Sequence, residues 1–134
     1  MRITRTRPDT TAAPAAYFTG EVWVDEIATP PEPARVRVVS VHFAPGARTA
    51  WHTHPLGQVI HITEGTGLVQ RRGAPPEVVR AGDTVEFAPG EDHWHGAGPA
   101  SFMTHLAVHE AAEGEGHVAW GAHVTDEEYG EAPA

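Results

Sequence analysis

The chain has 134 residues, 40% hydrophobic and 20% charged, with a formal net charge of −9 and no cysteine. That length suits one domain with a real core and is too short for two. The acidic balance argues against nucleic-acid binding and an anionic membrane surface, and without thiols there are no disulfides, zinc–thiolate sites or cysteine nucleophiles.

Met1–Ala16 is polar and rich in Pro and Ala, and reads as an N-terminal arm ahead of a domain over residues 17–134. Its basic start, MRITRTRPDTT, is followed by no apolar signal-peptide core. No apolar run reaches the ~20 residues of a membrane span, so a soluble cytoplasmic protein is expected. Gly20–Ile27 alternates like a first strand, and Thr29-Pro30-Pro31-Glu32-Pro33 makes a rigid connector. Arg35–Ala44 is a long strand with Val39, Val41 and Phe43 on one face and Val36, Val38, Ser40 and His42 on the other. Short strands follow at Thr49–His54, Gln58–Thr63 and Gly67–Arg72, with turns at Pro55-Leu56-Gly57 and Glu64-Gly65-Thr66. Glu77–Arg80, Thr84–Phe87, His93–Gly96 and Ser101–Glu110 complete the main set. Glu113–Gly116 is a loop and Val118–Val124 one more strand. Thr125-Asp126-Glu127-Glu128 has the form of a capping box opening a short terminal helix. With 14 Gly and 12 Pro as punctuation, the pattern predicts an all-β, single-domain, double-sheet jelly roll of about ten strands.

WHTHPLGQ at Trp51–Gln58 and PGEDHWHG at Pro89–Gly96 carry the chemistry. His52 and His54 are two apart, so an extended strand projects both imidazoles from one face. Gln58 follows on the other arm of the turn as a third candidate ligand, and His93 is a fourth from a later strand. Three imidazoles and an amide oxygen suit Mn, Fe, Co, Ni or Zn alike, and action on a substrate needs open positions on the ion. His95 follows His93 at the same-face spacing, and His105 shares a strand face with Met103, Ala107 and His109. Trp51 and Trp94 alternate with these histidines and should point away. Val39, Val41, Phe43 and Phe87, with His109, are candidate walls of a small-molecule pocket. His42, His61, His117 and His123 are expected to be structural or surface residues.

The spacing resembles a known family. Gly46, five residues, His52-Thr53-His54, three residues, Gln58, six residues and Gly65 look like the first cupin motif. Gly82, six residues, Pro89-Gly90, two residues and His93 look like the second. Gln58 stands where most cupins have Glu, and Ala88 where proline is usual. PGARTAWHTHPLGQ, FAPGEDHWHGA, MTHLAVHE and HVTDEEY are further similar to the small bacterial manganese cupins with (R)-selective hydroxynitrile lyase activity. That resemblance runs from Tyr17 to Tyr129 and implies a divalent ion, manganese first, on His52, His54, Gln58 and His93. It also implies that His105 acts on the substrate as general base, helped by His95, to cleave or form cyanohydrins.

The alternative is a cupin metal dioxygenase acting on a small organic substrate; a third is a binding or sensor cupin without turnover. A neutral Gln58 leaves the ion its full charge, which favours Lewis-acid over redox chemistry. Sheet edges that need cover point to a homodimer or homotetramer, with the N-terminal arm a candidate to pair with a partner sheet.

Overall fold

The computed structural model describes residues 1–114 and 116–130. Glu115, in the expected loop, and residues 131–134, at the expected domain end, lie outside them. Its strands are β1 (Thr10–Ala12), β2 (Phe18–Thr19), β3 (Val22–Ala28), β4 (Val36–Phe43), β5 (Arg48–Thr49), β6 (His52–Thr53), β7 (Gln58–Arg71), β8 (Glu77–Arg80), β9 (Thr84–Phe87), β10 (His93–Ala97), β11 (Met103–Glu110) and β12 (Ala119–Trp120), followed by one helix, α1 (Asp126–Gly130).

Period-two alternation sets the layers. On β4, Val39, Val41 and Phe43 are buried while Val38, Ser40 and His42 are half-buried on the outer face. Ile60 and Ile62 of β7 and Met103, His105 and Ala107 of β11 continue that inner surface. One antiparallel sheet runs β1-β3-β4-β11-β7-β9. The second is centred on β10, with β7 and then β8 on one side and β5 and β6 on the other; β2 pairs with β5, and β12 with β6. The inner faces enclose the main core, a double-sheet jelly roll as the pattern requires.

β7 belongs to both sheets, which corrects the expectation of two strands and a turn. The strand runs on through Gly65, where its partner changes from β11 to β8 and β10. Gly65 has φ 78°, and a Cβ there would lie 2.0 Å from the Phe102 carbonyl oxygen. Only glycine lets the strand cross here.

The expected strand Thr49–His54 is instead divided into β5 and β6, because terminal segments take the backbone bonds of Ala50 and Trp51. Ala50 N–H donates to the Tyr17 carbonyl (2.8 Å), Trp51 N–H to that of Ala122 (2.9 Å), and Gly121 N–H to that of Trp51 (2.7 Å). For the same reason the expected strand Val118–Val124 shrinks to Ala119–Trp120. Within the expected arm, Thr10–Ala12 forms an edge strand on β3 of its own chain.

The C-terminal segment covers the outer face of the second sheet. There Trp51, Leu68, Trp94 and Val124 form a second cluster, with Tyr129 against it. Both tryptophans thus point away from the lumen, as their alternation predicts. Buried Arg48 donates to the Val124 carbonyl (2.9 Å) and Asp126 (2.8 Å), and its guanidinium lies 4.5 Å from the Tyr129 ring centre. The capping box forms: Glu128 N–H donates to Thr125 Oγ1 (3.0 Å), and Thr125 N–H to the Glu128 carboxylate (2.9 Å). Among the described residues no helix is long and apolar enough to cross a membrane.

The Gly65 crossing makes a direct prediction. Gly65→Ala forces a side chain into the left-handed region and against a carbonyl, and should lower unfolding free energy by roughly 1–3 kcal/mol. Urea unfolding reads this, and a parent-like midpoint contradicts the account.

Candidate metal centre

Four strands deliver a cluster of buried histidines to one end of the lumen. β6 brings His52 opposite His93 of β10, and their ring centres lie 4.3 Å apart. His54, just past β6, has its ring 5.1 Å from that of His52 and 5.7 Å from that of His93. Gln58 opens β7, and His95, His105 and His109 follow on β10 and β11; all are buried.

Hydrogen bonding fixes how the rings face. His52 Nδ1 bonds the carbonyl of Ala50 (2.9 Å), His93 Nδ1 that of Glu91 (2.8 Å), and His54 Nδ1 that of His117. A carbonyl only accepts, so each Nδ1 carries the proton and each Nε2 keeps its lone pair. Backbone-anchored imidazoles with free Nε2 atoms are the form that metal-ligating histidines take. The Nε2 atoms of His54 and His93 and Oε1 of Gln58 are buried without partners. Buried polar atoms are almost always satisfied, so this donor set fits a divalent ion.

The tightest group of possible ligand atoms is His52, His93 and His95, all within 4.8 Å of one another. His95 thus enters the cluster beside the expected ligands, and His54 stands just outside the tight group. His95 Nδ1 is 3.0 Å from His105 Nε2, while His95 Nε2 and His105 Nδ1 are buried without partners. The two residues expected to act on substrate are therefore bonded to each other beside the centre.

Burial pushes every one of these histidines down. It lowers His52 and His95 well below the ordinary value and His54 less far. It holds His93 and His105 at about 4 and His109 at about 3. All are neutral at pH 7, as ligands and proton acceptors must be.

A cavity of about 310 Å³ opens beside the cluster, lined by Val39, Val41, Phe43, Ala107 and His109 and reached by His52, His54, Gln58, His95 and His105. Phe87 is a correction: it lies outside that wall and stacks on His93, ring centres 3.6 Å apart and planes at 11°. It sits on β9 at the sheet edge, and its strand borders a separate surface cavity. His117 is a second correction. Expected to be structural or surface, it lines the cavity and stacks on His109 (4.8 Å), and its carbonyl anchors His54. It lies in irregular chain, where strand periodicity gives no signal. His42 and His61 do face away, His42 bonding Asp25 (2.9 Å) and Thr104 (3.1 Å), and His61 bonding Thr84 (2.8 Å).

Residues from both termini complete the mouth. Tyr17 and Trp120 stack at 4.8 Å with planes 10° apart, Phe18 meets Trp120 edge-on at 5.5 Å, and Trp120 lies 4.8 Å from His52. The sequence reading did not place these aromatics in the site. Only the Tyr17-Phe18 pair and Trp120, one of two tryptophans outside the motifs, could have drawn attention.

A jelly roll with a histidine cluster between its sheets defines a class, and residues 39–108 match the family model for the cupin domain. The chain belongs to the cupin family. It is 54% identical over 116 residues to a protein named (R)-mandelonitrile lyase from Granulicella tundricola, covering 87% of this chain and 88% of that one. A cupin-like protein from Thermotoga maritima superposes with a TM-score of 0.88 at 36% identity, covering 99% of both chains. A polyketide cyclase from Streptomyces resistomycificus shares the fold at TM-score 0.72 and 20% identity, over 96% of this chain and 91% of that one.

Replacing His52 and His54 together by Ala should abolish stoichiometric metal, read by elemental analysis of purified protein; unchanged content contradicts the ligand set. The depressed histidines also set the acid response of metal-free protein. Unfolded histidines protonate below 6.5, but the folded His93 and His105 protonate only near 4. The unfolded state then binds more protons in that window, so stability falls as pH drops from 6.5 toward 4. Thermal unfolding of the stripped protein should show this fall, and a flat profile across the window contradicts it.

Proposed function

We propose that this cupin is a metal-dependent lyase that cleaves and forms cyanohydrins, with manganese as its ion. The carrying observation is the bonded His95–His105 pair, set between the ligand cluster and an apolar cavity. The likeness to a protein named (R)-mandelonitrile lyase supports the substrate class. A divalent ion bound there supplies Lewis acidity, lowering the proton affinity of a nearby oxygen.

The chain's own residues do the rest. Val39, Val41, Phe43 and Ala107 offer an apolar wall to the organic group and keep water from it. His105 takes the hydroxyl proton while the bond to the nitrile carbon breaks. The electrons of that bond leave with cyanide, which ends as hydrogen cyanide, and the carbinol carbon becomes the carbonyl. His95, on His105 Nε2, orients that ring and shares the arriving proton. Each ring has one further buried nitrogen with no protein partner. A base held at about 4 is weak, so the reaction needs the metal and the imidazole together.

His105→Ala should keep full metal and lower mandelonitrile cleavage by ~10²–10⁴-fold, the usual worth of general-base help. Parent-like cleavage by that variant transfers the role to His95. Gln58→Glu should keep the metal and slow the reaction, because an anionic ligand weakens the Lewis acid. Cleavage by fully loaded parent no faster than free manganese overturns the lyase reading.

A further inference from the structure

As a ligand, Gln58 can serve through one atom only. Its carbonyl oxygen has lone pairs for a metal and its NH2 has none, so a flipped amide is no ligand at all. A carboxylate would not face this choice, since either oxygen serves. Something must therefore hold the amide with its oxygen toward the cluster.

His109 is placed for that task. It is the cross-strand partner of Gln58 in the β11–β7 ladder. Its Nδ1 lies 3.2 Å from Gln58 Nε2, and Gln58 Oε1 is left buried and unpartnered on the other side. Both residues are buried, at 6% and 7% exposure. The imidazole cannot swing away: it is stacked between His54 (4.8 Å, 25°) and His117 (4.8 Å, 28°). A neutral ring that accepts at Nδ1 carries its proton on Nε2, the tautomer intrinsically favoured for histidine.

We propose that His109 is a positioning residue that accepts a hydrogen bond from the Gln58 NH2 and so presents the Gln58 oxygen to the metal. The proposal rests on the metal-centre part of the functional reading and not on the cyanohydrin reaction. Flipping the amide would set its oxygen against the Nδ1 lone pair and turn hydrogens toward the ion. Gln58 and His109 thus act as a pair, and the neutral ligand depends on an acceptor behind it.

The test is Mn(II) affinity of the stripped full-length chain, measured by competition with a chelator. Removing an outer partner of a metal ligand typically weakens binding 10–100-fold. His109→Leu should weaken binding by about that factor, and His109→Gln, which restores a carbonyl acceptor, should recover most of it. In a Gln58→Ala background, His109→Leu should have little further effect, because the residue acts through the amide. Parent-like affinity in His109→Leu overturns the proposal. So does an equal loss with and without Gln58, which would place the effect in the stacking on His54. A second measurement needs no variant: ¹⁵N NMR of the Zn(II)-loaded parent should find His109 unprotonated at Nδ1 and protonated at Nε2. The opposite tautomer overturns the proposal. A parent that binds no stoichiometric metal defeats the metal centre itself, a distinct outcome.

Discussion

Three backbone carbonyls hold this protein's site in order. Those of Ala50, Glu91 and His117 each take the Nδ1 proton of a histidine, and each thereby points an Nε2 lone pair inward. Two of them act within two residues of their histidine, so the local conformation around β6 and β10 fixes those rings as the strands form. The third comes from residue 117, far along the chain, and cannot act until the C-terminal segment has docked. The histidine cluster is therefore complete only when the whole fold is.

That dependence explains how strongly the terminal segments are held. The C-terminal run pairs Trp120 with His52 through β12 and crosses the second sheet. Buried Arg48 then anchors it by the Val124 carbonyl and Asp126. Trp51 donates to Glu128 (3.2 Å), and the Tyr129 hydroxyl to the Ala97 carbonyl (2.7 Å). The surface ion pair alone would be worth little, but a buried guanidinium on a carbonyl fixes a direction. From the other terminus, Tyr17 stacks on Trp120, so the two ends of the chain form one wall of the cavity mouth. A jelly roll without these segments would lose part of its second buried cluster and the anchor of His54.

Much of this was legible in the residues. The alternation on Val36–Phe43 gave the inner face, and the identical bounds of β8 and β9 followed from clear Gly and Pro punctuation. His52, His54, Gln58 and His93, singled out by their spacing, are all buried, and the three imidazoles lie together. The failures share a cause. Gly65 looks the same in sequence whether it ends a strand or continues one, and only the partner Phe102 carbonyl decides between them. His117, Tyr17 and Trp120 lie in irregular chain or very short strands, where side-chain direction is set by distant contacts and not by period. Phe87 has the correct strand but sits at an edge, so its ring covers the back of His93 instead of the cavity.

The distribution of unsatisfied groups ties fold to chemistry. Among the described residues, every buried side-chain polar atom without a partner belongs to one histidine–glutamine cluster: His54, Gln58, His93, His95, His105, His109 and His117. Leaving one such group unpaired costs about 1–3 kcal/mol, a load that a fold carries only where something relieves it. On the proposed ligand set, an ion would relieve those that converge as ligands, and its binding energy would become folding energy. His95 and His105 each keep one buried nitrogen without a partner beside the apolar wall. Desolvation that would be a defect elsewhere does two things here. It keeps the imidazoles neutral, so that they ligate and accept protons, and it leaves the charge of a bound ion unscreened. On the proposed ligand set, with an amide in place of a carboxylate, no anionic ligand would offset that charge. The same burial that destabilises the isolated groups would therefore make a bound ion a stronger electrophile.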